Sequence, residues 1–232
     1  LENFSPNIKV FGLPFLFRDR DHSYLVLDGE VGADLLAGTE KYWLKGLAYY
    51  DAGARSFYTR EKKINRPNDL NGLKIRVMES KTAFDMVKSL GGSPTPISYG
   101  ELYTSLQQGV VDGAENNPPS FYLSKHYEVC KYYTLDEHTL LPDVLLISTH
   151  SWNKLTNQEK DWITIAVELS VTEQRKLWAK SEKESLDAVQ RAGVEIIIPD
   201  KKLFLEKSKS ILESYKSDDE IYNLIERIRN TN

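Results

Sequence analysis

The stretch "NGLKIRVMES", Asn71–Ser80, sets the frame for the rest of the chain. Leu73, Ile75 and Val77 alternate as one face of a strand, and Arg76 stands on the other face near its end. An arginine on a sheet face is ordinarily solvated. The flanking pattern gives this one a different setting. The strand over 73–78 leads into a helix over 81–90, with Ala83, Met86, Val87 and Leu90 on one side and Gly91 placed for a left-handed cap. A short strand, "SPTPIS", follows. A helix over "YGELYTSLQQ" then ends at Gly109, and a strand over 110–115, "VVDGAE", closes the unit. This β-α-β-α-β succession predicts a parallel sheet covered by helices, an α/β fold.

Working outward, the first fifty residues read as mostly helical, with two short helices broken near Gly29. "LAYYDAG" and "ARSFYT" read as strands. On the far side, "DVLLIS" over 143–148 is an apolar strand. Thr156 and Glu159 have capping-box spacing, and no Pro or Gly follows until Gly193. The helix they open can run about 35 residues, roughly 50 Å at 1.5 Å per residue, long enough to brace two lobes. A last strand, "GVEIIIP", and two amphipathic helices complete the chain.

The 232 residues are 41% hydrophobic and 28% charged with net charge −4, the balance of a globular domain with no basic tract for nucleic acid. Cys130 is the single cysteine, so no internal disulfide forms, and its surroundings predict an inert, half-buried thiol. No apolar run is long enough to span a membrane, and no signal-peptide pattern opens the chain. His22, His126, His138 and His150 lack metal-ligand spacing, and no cofactor or phosphate-binding fingerprint occurs. Glu101, Asp112 and Glu115 offer carboxylates for acid–base work, though without diagnostic spacing, and Asp112–Gly113 reads more simply as a turn. Arg76, Glu79 and "ENN" at 115–117 sit at the carboxyl ends of predicted parallel strands, where open α/β sheets bind ligands. A pocket rich in arginine without a nucleophile or metal suits recognition of a carboxylate.

Several of these stretches are similar to one family. "LPFLFRD" at 13–19, "GARSFYT" at 53–59, "DLNGLKIRVMES" at 69–80, "LGGSPTPISYGELYTSLQQGVVDGAENNP" at 90–118 and "KHYEVCKYY" at 125–133 resemble the solute-binding proteins of tripartite ATP-independent periplasmic (TRAP) transporters. The resemblance covers essentially the whole chain. It implies a periplasmic-binding-protein-like fold of two α/β lobes with a long bridging helix. Residues 1–53 would form a partial first lobe lacking an initial β-α-β segment, 54–142 mainly the second lobe, and 143–232 the returning strand, bridging helix and C-terminal helices. It implies an extracytoplasmic location, a small organic acid as ligand, membrane permease subunits as partners, and neither cofactor nor metal.

By the same resemblance Arg76 pairs with the ligand carboxylate, Asn116 supports it, Arg55 reaches the other part of the ligand and Tyr99 lies against its body. Glu79 and Asp143 match positions that vary with substrate and read hydroxyl groups. An aspartate at 143 would repel a second ligand carboxylate and accept from a sugar hydroxyl. A sugar acid, hexuronate or aldonate, is therefore expected ahead of a C4-dicarboxylate or keto acid. Two rival readings are a sugar-acid lyase or glycosidase using Glu79 or Glu115 with Asp143, and a ligand sensor serving a membrane receptor.

Overall fold

The computed structural model describes residues 4–232. After a 3-10 stretch, Pro6–Gly12, come helices α1 (Arg20–Asp28) and α2 (Glu30–Ala37), then strands β1 (Leu44–Tyr50), β2 (Ala54–Thr59) and β3 (Lys74–Val77). Next are α3 (Lys81–Leu90), β4 (Ser93–Pro96), α4 (Tyr99–Gln107), β5 (Gly113–Asn116), α5 (Pro118–Leu123), β6 (Tyr132–Leu140) and β7 (Asp143–Ser148). The chain ends with α6 (Thr149–Trp152), α7 (Asn157–Arg191), β8 (Glu195–Ile197), α8 (Lys201–Ser214) and α9 (Asp219–Arg229).

Local chemistry accounts for the boundaries. Ser80 caps α3 by accepting from the Ala83 amide, and Gly91 closes it at φ 102°, a left-handed conformation that costs a glycine little. The Thr156–Glu159 capping box forms and opens an α7 of 35 residues. Asp19 caps α1, and Gly29 separates α1 from α2 as expected.

The main sheet has six strands in the order β4-β3-β5-β2-β6-β8. β3 runs parallel to β4 and β5, as the βαβαβ pattern predicts, but β2 is antiparallel to both β5 and β6, and β8 is parallel to β6. The sheet is thus mixed rather than parallel throughout. The strand expected over 110–115 begins only at Gly113; before it, the Asp112 carboxylate accepts from the Lys74 amide (2.8 Å) and sets the entry to β3. β6 and α5 add to the predicted elements. A second, two-stranded antiparallel sheet pairs β1 with β7.

Helices cover both faces of the main sheet. On one face Phe57, Ile75 and Val77 join α3, α8 and α9 with the helices and 3-10 turn of residues 6–37. On the other, Tyr58, Ala114 and Tyr133 pack on α4, Phe121 of α5 and Val189 of α7. Cys130 belongs to this second cluster and is fully rather than half buried, which pushes its thiol pKa up and leaves it inert.

Two short connections, residues 51–53 and 141–142, carry the chain between the sheets. The first is clamped to α7. Gln174 donates to Asp51 O (2.7 Å) and accepts from the Asp51 amide (2.9 Å), while Asp51 accepts from Tyr24 (2.5 Å) and from the Gly53 amide (2.7 Å). Gly53 has φ 70°, and a Cβ there would lie 2.3 Å from Glu182 Oε1 and 2.9 Å from Trp178 Nε1. Gly53→Ala therefore combines left-handed strain with a clash on the long helix. It should cost about 2–4 kcal/mol in urea denaturation, and a loss below about 0.5 kcal/mol would mean the connection is not held there.

Candidate ligand-binding cleft

At the carboxyl ends of β3 and β5, beside the crossings between sheets, lies a cleft of about 340 Å³, a size suited to a small ligand. The β3–α3 turn supplies Glu79 and Ser80, the main sheet supplies Arg55, Glu115 and Thr139, and β7 supplies Asp143. Met86, Leu141 and Val144 make much of the remainder apolar.

Arg55 is 8% exposed and already has a counterion. Its Nε and Nη2 donate to the two carboxylate oxygens of Glu115, the latter at 2.9 Å, and Nη1 donates to Asn116 Oδ1 at 2.9 Å. Glu115, 1% exposed, faces Nε2 of His138 from 3.5 Å, and His138 Nδ1 bonds Asp136 at 2.8 Å. Burial by itself would raise the Glu115 pKa, but Arg55 and His138 outweigh it and hold the carboxyl at about 2. Burial would likewise disfavour the imidazolium, yet Asp136 and Glu115 push His138 up to about 9. The charges of these four groups thus offset one another at the cleft wall, although among the described residues His138 Nε2 makes no hydrogen bond.

Arg76 differs. It is 3% exposed, and its Nε donates to Ile97 O at 2.8 Å. Among the described residues no carboxylate forms an ion pair with it. Burial lowers its pKa, and the acidic group that acts on it from further away, Glu115, offsets this only in part. Its Cζ lies 5.8 Å from the ring centroid of Tyr99, a cation–π contact with a ring 46% exposed. That ring in turn meets the edge of His126, whose pKa burial and Arg76 together lower to about 4. Asn116 Oδ1 accepts from Arg55 and from the Asn117 amide (2.9 Å), which leaves the side-chain nitrogen of Asn116 to donate.

The predicted residues therefore fall into two sets. Arg55, Glu79 and Asp143 line the cleft. Arg76, Asn116 and Tyr99 do not. Arg76 is the register partner of Ala114, on the sheet face opposite Ile75 and Val77. The Arg55–Asn116 hydrogen bond joins the two sets across the sheet edge. Burial raises the Asp143 pKa, and Arg55 works against that rise. The carboxylates considered for acid–base work do not act together: Glu101 accepts from Ser98, Asp112 from the Lys74 amide and Glu115 from Arg55. No group of His, Cys, Asp and Glu among the described residues could hold a metal ion, and no described helix is long and apolar enough to cross a membrane.

Sequence reasoning missed Glu115 as a counterion, together with His138, Asp136 and Thr139. They depend on the antiparallel pairing of β2 with β5, for Glu115, and with β6, for the others, which no local pattern announces.

A mixed sheet with a small-molecule cleft at its strand ends, buried arginines and a long helix across two sheets defines an α/β solute-binding architecture. The chain belongs to the DctP family, bacterial extracellular solute-binding protein family 7, whose model matches residues 1–218. It is 42% identical over 231 residues to the uncharacterized protein YiiZ of Salmonella typhimurium, covering 99% of this chain and 71% of that one. Among solved structures, it is similar to a TRAP periplasmic solute-binding protein from Xanthobacter autotrophicus Py2 with bound β-D-galacturonate. That match has 41% identity and a TM-score of 0.94 over 100% of this chain and 78% of the other. One from Chromohalobacter salexigens with bound D-glucuronate gives 36% identity and a TM-score of 0.97 over 100% and 77%.

Proposed function

We propose that this chain captures a polyhydroxylated monocarboxylate, a hexuronate or aldonate, and presents it outside the cytoplasm to the membrane subunits of a TRAP transporter. The observation that carries the reading is Arg76, a guanidinium removed from water with no carboxylate among the described residues to pair with it. A buried cation held without a partner costs free energy, and a ligand carboxylate recovers it. In this reading Arg76 takes the acid group with the Asn116 amide beside it, Tyr99 lies against the ligand body, and Arg55 reaches the distal part. Glu79 and Asp143 accept from hydroxyls. The ligand extends over the sheet edge that separates Arg76 from the cleft, and closure of two lobes about the connections at 51–53 and 141–142 seals it in.

Glu79, Glu115 and Asp143 all face the cleft, which disfavours a second ligand carboxylate. The uronates bound by the two structural neighbours support the same class. For a lyase or glycosidase, Glu115 is poorly suited: ionised down to about pH 2 and engaged by Arg55, it has no proton to give at neutral pH.

A thermal-shift screen tests the reading. D-glucuronate, D-galacturonate or an aldonate should raise the unfolding temperature in proportion to occupancy. Stabilisation by succinate or malate with none by any sugar acid would overturn the substrate class, and product formation on incubation with a uronate would overturn the binding role.

A further inference from the structure

Between Thr134 and Thr139, β6 departs from regular pairing. Arg55 pairs with Thr139 and Phe57 with Thr134, so residues 135–138 stand opposite Ser56 alone. Glu137 within this bulge has φ 49°, a left-handed conformation that is strained for a glutamate. The bulge is pinned from two sides: Ser56 Oγ accepts from the Glu137 amide (3.0 Å), and the Phe15 amide donates to His138 O (2.8 Å). Bulges of this kind re-aim side chains, and they concentrate next to functional sites.

The residue re-aimed here is Thr139. It is 4% exposed, lines the cleft, and lies directly across from Arg55 in an antiparallel pair, so both side chains leave the sheet on one face about 5 Å apart. Among the described residues its hydroxyl makes no hydrogen bond. The buried threonines at 39, 59 and 134 each donate to a backbone carbonyl. The Thr139 hydroxyl is instead turned to the cleft, where a ligand can reach it. Arg55 can only donate and ionised Asp143 can only accept, whereas a threonine hydroxyl does both, the match for a sugar hydroxyl.

We infer that Thr139 is a specificity-determining residue whose hydroxyl hydrogen-bonds a hydroxyl of the bound sugar acid beside Arg55, an inference that rests on the function proposed above. The bulge exists to point it there.

The test compares the protein with Thr139→Val and Thr139→Ser by calorimetric titration of D-glucuronate and D-galacturonate, alongside thermal denaturation without ligand. Valine puts a methyl where the hydroxyl was. It should weaken uronate binding roughly three- to tenfold, the worth of one net hydrogen bond, while leaving the unliganded midpoint unchanged or higher. Serine should recover most of the affinity. A valine variant that binds the uronate as tightly as the parent would overturn the inference alone. So would one whose unliganded midpoint drops, because the hydroxyl would then serve the fold. Failure of the parent itself to bind any sugar acid would instead remove the proposed function, and this inference with it.

Discussion

Replacing Arg76 with lysine or methionine should abolish detectable binding of a uronate, and the methionine variant should be at least as stable without ligand as the parent. The two halves come from one observation. Arg76 is almost wholly buried, and among the described residues no carboxylate forms an ion pair with it. Its pKa is lowered because burial outweighs the distant help of Glu115. In the unliganded state that charge is a liability. Methionine fills similar volume without it, at the expense of the hydrogen bond to Ile97 O. In the liganded state the same guanidinium offers a planar fork to the ligand carboxylate, and lysine cannot reproduce the fork. Losing one partner of a buried charge pair costs about 2–5 kcal/mol, a factor of roughly 30 to 5,000 in affinity. Calorimetry measures the first half and thermal denaturation the second. Unchanged affinity in either variant would take Arg76 out of the site.

Glu115→Ala should have the opposite balance, a heavy loss of stability. Glu115 is the shared counterion of Arg55 and His138, and all three are buried. Its removal strands Arg55 and leaves His138 with Asp136 alone, a change that costs about 3–5 kcal/mol. The same network sets the pH dependence. The Glu115 pKa falls from an ordinary 4.5 to about 2, so the stability it contributes is present above about 4.5 and lost as pH falls toward 2. The His138 pKa rises from 6.5 to about 9, so its contribution is complete below 6.5 and lost as pH rises through 9. Arg55 is the main cause of the first shift and Asp136 of the second, but part of each is the same Glu115–His138 attraction, so the two limbs are not additive. Unfolding free energy against pH should show a plateau between about 4.5 and 6.5 with a fall on either side. The acid limb should flatten in Glu115→Ala, and the basic limb should shrink but persist, because Asp136 still holds His138 up. Urea denaturation across that range measures it, and a variant curve parallel to the parent's would mean the network adds nothing.

What could be read from the amino acids alone was whatever had a local cause. The apolar stripe of α3 and the Gly91 stop are written within a dozen residues, so α3 came out at its observed limits, 81–90. The capping box at Thr156 and the absence of Pro and Gly fixed α7 at 35 residues. Arg76 stood out because it sets a fixed cation near the carboxyl end of β3, on the face opposite Ile75 and Val77. By contrast β6 was invisible. Asp136, Glu137 and His138 break its hydrophobic pattern, and only in the folded sheet do Arg55 and Glu115 supply the charges that allow Asp136 and His138 to be buried. For the same reason the site's counterions, and Thr139 on the bulge, had no local signal. The division of the predicted site into a cleft set and a strand-edge set was equally hidden. The alternation shows that Arg76 is opposite Ile75 and Val77, but not that the cleft opens on the face of Ile75 and Val77.

The proposal turns on a buried guanidinium, without a carboxylate partner among the described residues, that takes the acid group of a sugar acid. A crystal structure of the protein with D-glucuronate bound tests it most directly. The account predicts both carboxylate oxygens within about 3 Å of the Arg76 guanidinium nitrogens, the Asn116 amide donating to one of them, and the sugar hydroxyls turned toward Thr139 and Asp143. A carboxylate seated instead on Arg55, with Arg76 still bonded only to Ile97 O, would contradict it.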